Sequence, residues 1–191
     1  MRVRKDWNFD LNARDSITKF VLAHLFVVER NKKECRAFLK QIKNNCYPQI
    51  KARYLQEKHK PKDKRDLIMF VCYKFSNYKD AFNKLFYRVA HLEFGVSIAR
   101  KKHGLKHNNN PIERYNGKLD DRLESIRGGF GSFEGAKTFM NMSRVINNFV
   151  NPCQQLQGKT PAEMAGIILS LRRNKLLSLI KFVRDNYIML S

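Results

Sequence analysis

The sequence predicts an α/β (α+β) fold, in which a mixed sheet is flanked by helices and the C-terminal part is helical. Segments rich in β-branched and aromatic residues alternate with segments of helical periodicity in the first two thirds, and only helical patterns follow. Hydrophobic residues make up 43% of the 191 residues, with 14 Phe, which is enough for a core. We predict a core over residues 1–127 and a helical C-terminal extension, residues 128–191, packed on that core.

The N-terminal segment predicts a strand hairpin followed by two helices. A strand is expected over Ser16–Val28, with a shorter strand near Trp7–Asp10 and a turn at residues 12–15. The next segment has the 3.6-residue period of a helix. Its apolar face consists of Cys35, Phe38, Leu39 and Ile42. Pro48 is expected to open a second helix that runs to about Glu57.

The middle of the chain predicts two strands with a helix between them. The continuous apolar run at residues 66–72 suits a buried strand, and Ser76 is a suitable cap for a helix that ends near Phe86. A strand is expected within Arg88–Ile98, and a further helix from Asn110 or Pro111.

The C-terminal part predicts helices alone. One helix is expected from Ser132 to Phe149, and Thr160 with Glu163 has the spacing of a capping box. The apolar and basic stretch at residues 171–190 predicts a last helix, whose apolar side chains suit a core or a dimer contact.

Charge is the strongest functional signal in the composition. The chain has 38 Lys and Arg against 17 Asp and Glu, which gives a net charge of +21. Such a surplus favours a polyanionic partner, nucleic acid first and an anionic membrane surface second. The absence of a long apolar run and of a signal-peptide pattern predicts a cytoplasmic protein without a membrane span. The four cysteines lack metal-site spacing and are expected to be reduced thiols.

Three basic regions are candidates for phosphate contact, although each could instead be a solvated surface. They lie in a loop after the first helices, in a loop that leads to the helix at Asn110, and in the last third of the chain. The candidate nucleic-acid-binding residues are Lys58, Lys60, Lys62, Lys64, Arg65, Arg100, Lys101, Lys102, Lys106, Arg114, Lys118, Arg172 and Arg173. The aromatic residues are expected mostly in the core, with Tyr78 and Tyr115 as candidates for stacking at the surface.

The most specific motif is the decapeptide from Asn108 to Gly117, which reads NNNPIERYNG. Weaker matches accompany it over nearly the whole chain. They are Trp7–Asp10, Phe38–Lys40, Tyr78–Phe82, Lys106–His107, Ser132–Ala136 and Gly158–Glu163. Together these segments resemble an archaeal insertion-sequence transposase of the DDE type, with a ribonuclease-H-like integrase core that is truncated at its N-terminus.

The resemblance implies a site in which three carboxylates hold two divalent metals that cut and join DNA. Glu113 corresponds to the third carboxylate, whereas Tyr73 occupies the position of the second Asp, and the first would precede Trp7. Because a phenol is uncharged at neutral pH, it does not replace an Asp as a Mg²⁺ ligand. Glu113 could equally serve as the third residue of a helix capped by Asn110.

We therefore expect a catalytically inactive nucleic-acid-binding protein without a metal or other cofactor. It would bind DNA, or RNA within a ribonucleoprotein such as the ribosome after adoption by its host. The alternative is a transposase fragment that uses Mg²⁺ with acids supplied by a partner.

Overall fold

The computed structural model has the mixed α/β fold that the sequence predicts. It describes residues 1–4, 6–72, 76–94, 110–126 and 129–188. The chain forms two compact units. The first comprises Met1–Ala13 and Leu22–Gly131, and the second comprises Arg14–Val21 and Ser132–Ser191.

The described strands pair two by two. The antiparallel pair β1 (Arg2–Val3) and β2 (Asp6–Trp7) is short, and β3 (Phe9–Arg14) pairs with β4 (Val21–Val27). The turn between β3 and β4 comes later than the predicted residues 12–15. Asp15 N–H donates to the carbonyl of Phe20, and the Asp15 carboxylate accepts from the N–H of Thr18 at 2.6 Å. The prediction failed because Asp15, and not Asn12, supplies the side-chain acceptor that stabilises a turn.

Helix α1 (Lys32–Glu57) begins at the cap residue Asn31, whose side chain accepts from the N–H of Glu34. Its predicted apolar face is buried, with Cys35, Phe38, Leu39 and Ile42 in the core. The predicted break at Pro48 is wrong, because the helix continues through this residue. Pro48 is exposed, while Ile42 and Ile50 on either side of it are buried, so packing outweighs the lost backbone hydrogen bond.

A parallel strand–helix–strand unit follows. Strand β5 (Ile68–Cys72) pairs with β6 (Ala90–Phe94), and α2 (Ser76–Phe86) connects them. The helix ends at Phe86 as predicted, but Ser76 is its first residue and not the residue that precedes it as a cap; both strands lie within the predicted segments. Phe70 lies 5.2 Å from Phe82 and 5.0 Å from Phe86 between ring centroids, so the aromatic residues of α2 pack on β5.

Helix α3 (Asn110–Glu124) completes the first unit and carries the decapeptide motif. Tyr115 and Leu119 are buried one turn apart, whereas Arg114 and Lys118 are exposed. The helix therefore turns its predicted basic residues to solvent.

The second unit is mainly helical. The predicted helix from Ser132 to Phe149 is present as α4 (Phe133–Phe149), and Ser132 caps it by accepting from the N–H of Gly135 at 3.1 Å. The buried Asn148 accepts from Val21 N–H at 3.0 Å and donates to Val21 C=O at 3.1 Å, which satisfies that backbone.

Two further helices complete this unit. The predicted capping box of Thr160 and Glu163 opens the short helix α5 (Pro161–Met164). The last helix, α6 (Lys175–Ile188), begins later than predicted, and Lys175 pairs with Glu163 at 2.6 Å. Within the described residues, no helix combines the length and the apolar character that a bilayer crossing requires.

Candidate functional site

The first unit contains a buried polar cluster on β3, β4 and α3. Asp10 Oδ1 lies 2.5 Å from His24 Nε2, and Asp10 Oδ2 accepts from Asn12 Nδ2 at 2.6 Å. The same Asn12 nitrogen approaches Asn116 Oδ1 at 3.4 Å. The His24 side chain is 2% exposed, so its imidazole has no access to a substrate in solvent. The cluster therefore connects the two strands to α3 and does not present a base to a ligand.

Asp10 and His24 lie close together, but their facing atoms are not aligned for a hydrogen bond. Asp10 Oδ1, Asn12 Oδ1 and His24 Nε2 are buried and have no aligned hydrogen-bond partner among the described residues. The close approach of Asp10 to His24 is thus an electrostatic contact more than a directed hydrogen bond. Removing either partner would leave a buried polar group without compensation.

Glu113, the predicted remnant of the third carboxylate, is half-buried on α3 one turn before Asn116. Three residues of separation place the two side chains on the same face of the helix. Helix α3 begins at Asn110, whose side chain lies outside the described set, so the capping-box alternative for Glu113 stays a prediction.

The residues do not fit the two-metal site that the transposase resemblance implies. Strand β5 ends at Cys72, and the next position in the sequence is Tyr73, which lies outside the described residues. Within the described part of the chain, no three His, Cys, Asp or Glu residues converge on a common point. Asp10 contacts a buried imidazole, and Asp66 precedes β5 at the opposite end from Tyr73.

The thiols next to this strand are protonated at neutral pH. Burial, and then the neighbouring Cys35, raise the pKa of Cys72 to about 11, and burial also raises the pKa of Cys35. Burial likewise raises the pKa of Tyr78, which is half-buried against Phe38. Tyr78 and Tyr115 are core residues, so the hypothesis that they stack on bases at the surface is wrong.

A structured basic turn joins α1 to β5. We call residues 58–65 the basic turn. Its base is the buried Glu57, whose carboxylate oxygens lie 2.8 and 2.9 Å from Lys60 Nζ and accept from Asp66 N–H at 3.0 Å. The hydrogen bond from Lys60 and that from the Asp66 backbone lower the pKa of Glu57. Glu57 is thus ionised at neutral pH and holds both ends of the turn.

Arginine side chains close the basic turn from the other side. Arg65 Nε donates to the carbonyl of Lys60 at 2.9 Å, and Arg65 Nη2 donates to that of Lys58 at 2.7 Å. Arg53 pairs with Asp66 just beyond the turn. These contacts fix the backbone of a segment that composition alone would describe as a solvated loop.

The basic turn divides its five predicted phosphate ligands into two groups. Lys60 and Arg65 are engaged in the contacts above, whereas Lys58, Lys62 and Lys64 are exposed and form no ion pair with any described residue. The other predicted cations that the structure describes are also exposed. Arg114 and Lys118 are exposed on α3, and Arg172 and Arg173 are exposed before α6. Arg100, Lys101, Lys102 and Lys106 lie outside the described residues.

Sequence reasoning missed the partners of Asp10 and the bracing of the basic turn. His24 lies in an apolar strand pattern, where a histidine is unremarkable, and Glu57 lies at the end of a helix among basic residues. The only indication in the sequence is one acid, Glu57, close to several cations.

Comparison of the chain with protein-family models, with curated proteins and with solved structures gives no match.

Proposed function

We propose that this protein is a basic nucleic-acid-binding protein, built on a transposase-like scaffold and without transposase catalysis. The observation that carries the proposal is the basic turn. The buried Glu57 at its base accepts from Lys60, while Lys58, Lys62 and Lys64 are exposed and form no ion pair with a described residue. Exposed cations on a backbone that is held in place, together with a net charge of +21, favour a polyphosphate partner.

Lysine-rich contact of this kind recognises phosphates more than bases. Lysine is a point charge on a flexible stem, and it neutralises phosphates without reading the edges of base pairs. We therefore expect binding to DNA and to RNA with little sequence preference. Expected affinity depends strongly on salt, because each neutralised phosphate releases condensed counterions.

The absence of catalysis in this proposal is supported by the residue types at the implied metal positions. Position 73 carries a phenol where a carboxylate is required, and Asp10 is engaged with His24. Glu113 alone does not balance the charge of two divalent cations.

The test is a salt titration of binding to mixed-sequence duplex DNA and RNA, followed by fluorescence anisotropy. A protein that contacts about 6–10 phosphates loses on the order of 10³-fold or more in affinity between about 50 and 200 mM salt. The variant Lys58→Gln/Lys62→Gln/Lys64→Gln is expected to lower the slope of log K against log salt by about 2–3.

The matched control removes the same charge from the first part of α1. Lys33, Arg36 and Lys40 are exposed there, and their replacement by Gln is expected to change the slope by less than about 1. Absence of binding at low salt, or an equal loss in both triple variants, would contradict the role of the basic turn.

A further inference from the structure

A groove of about 530 Å³ lies beside the basic turn in the first unit. Lys62 and Arg65 of the turn form one side, and the end of α2 with strand β6 forms the other. This volume is within the range of about 300–1,000 Å³ in which proteins bind small organic ligands. The groove is thus large enough for a mononucleotide-sized group.

The charge of the groove has one sign. Four lining residues are cations, namely Lys62, Arg65, Lys79 and Arg88, and none of the described lining residues is acidic. Clefts lined by charge of one sign concentrate counter-ions, so this groove attracts anions more than a flat surface with the same residues would.

The floor and rim of the groove are apolar and aromatic. Phe82 and Leu67 are buried below it. Tyr87 at the rim is 65% exposed, although the Arg88 guanidinium lies 5.0 Å from the centre of its ring, and Phe94 is 37% exposed. A surface that binds only phosphate does not need exposed aromatic rings. A surface that binds a ligand with both a charged part and a flat apolar part does need them.

The backbone at the rim is also unusual. Arg88 has φ of 64°, a left-handed conformation that glycine or asparagine normally adopts after a helix. An arginine at this position is disfavoured by its Cβ. The guanidinium of the same residue lies over the Tyr87 ring, and strained backbone of this type is concentrated at binding sites.

We propose that this groove binds unpaired nucleotides of single-stranded nucleic acid, with a base on Tyr87 and the adjoining phosphates on Lys62, Lys79 and Arg88. This inference rests on the proposed function and specifies its ligand. In a duplex the faces of the bases are covered by their neighbours, so Tyr87 has access only to unpaired bases. We expect the exposed ring of Tyr87 to give a preference for single strands. The cations alone would bind the phosphates of a duplex as well.

The experiment compares Tyr87→Ala, Tyr87→Phe and Trp7→Ala in anisotropy titrations. Trp7 is the matched control, since it is 61% exposed in the same unit and does not line the groove. The probes are single-stranded DNA and RNA of about 12 nucleotides and a duplex of the same sequence. Circular dichroism verifies that each variant is folded.

The expected result is a loss of about 10-fold in single-strand affinity for Tyr87→Ala, with duplex affinity changed by less than about 2-fold. Tyr87→Phe and Trp7→Ala are expected to keep single-strand affinity, because the first retains the ring and the second lies elsewhere. Equal losses on RNA and DNA support stacking on bases of either source, and a loss confined to one of them identifies that polymer as the ligand.

Two results would overturn the inference, and they have different consequences for the proposed function. If wild-type protein binds duplex and single strand equally and Tyr87→Ala changes neither, the groove is not a base-binding site, although the proposed function stands. If no probe binds at low salt, the proposed function fails and the groove proposal fails with it.

Discussion

The buried polar cluster and the basic groove lie in the same unit but use their charged groups in opposite ways. In the cluster, Asp10, Asn12 and His24 are turned inward and contact one another. In the groove, Lys62, Lys79 and Arg88 line a surface on which no described residue is acidic. The charged groups of the cluster are largely buried, whereas the cations of the groove are accessible.

The two regions therefore differ in which charged groups a ligand can reach. Among the described residues, Asp10 is the carboxylate that lies against an imidazole, and the side chain of its partner His24 is only 2% exposed. Of the acids in and beside the basic turn, Glu57 pairs with Lys60 and Asp66 pairs with Arg53, whereas Asp63 is exposed. Lys58, Lys62 and Lys64 are exposed and form no ion pair with a described residue, and exposed positive charge of this kind attracts anions.

The largest expected effect concerns the cluster. Asp10→Ala removes the partner of a buried imidazole and of Asn12, and we expect a loss of about 2 kcal/mol in the free energy of unfolding. Urea denaturation measures it. Asp6→Ala is the control, since Asp6 is exposed in β2 and should change stability by less than about 0.5 kcal/mol. A change in nucleic-acid affinity of the folded Asp10 variant would show that the cluster and the groove are coupled.

The next effect concerns the rim of the groove and has the opposite sign. Arg88→Gly relieves a left-handed backbone, and we expect a gain of about 1 kcal/mol in stability. The same substitution removes a cation and the stacking guanidinium, so single-strand affinity should fall. Thermal unfolding and anisotropy on one sample test both parts. A variant that is less stable and binds normally would contradict the function assigned to this residue.

A smaller effect, with a defined pH dependence, concerns the base of the basic turn. Because the pKa of Glu57 is lowered by folding, its ionised form stabilises the protein above the ordinary value of 4.5, and this stabilisation is lost as pH falls through the lower folded value. Wild type should therefore exceed Glu57→Gln in stability at neutral pH, and the difference should shrink below about pH 4.5. Urea midpoints measured across this range test the sign, and a difference that grows toward acid would be inconsistent with it.

The smallest expected effect is that of Glu113→Gln. If the implied metal site is absent, this isosteric change leaves duplex affinity within about 2-fold and produces no change in nuclease or strand-joining assays with Mg²⁺ or Mn²⁺. Strand cleavage by wild type that disappears in the variant would restore the transposase alternative.

Local patterns predicted many elements of this fold. The buried face of α1, the end of α2, the extent of α4 and the capping box of α5 each follow from residues close together in the chain. The break at Pro48 was predicted wrongly because its outcome depends on packing of Ile42 and Ile50 against the core. The late turn at Asp15 was missed for a similar reason, since several local acceptors compete and the strand pairing selects one.

The candidate site was less predictable than the fold. The lysines at positions 58, 62 and 64 were identified from charge alone, and the structure places them on the exposed face of the basic turn. Lys79, Tyr87 and Arg88 were not identified, because each is an ordinary residue of a helix or its end until the groove brings them together.

The sequence by itself determined the charge, the types of the elements and the tyrosine at position 73, because these depend on residue identity and on periodicity along the chain. Only the tertiary structure decided which acids are engaged and which cations are presented. Pairing such as that of Asp10 with His24 joins different strands, and the groove joins a loop, a helix end and a strand, so neither exists until distant segments pack together.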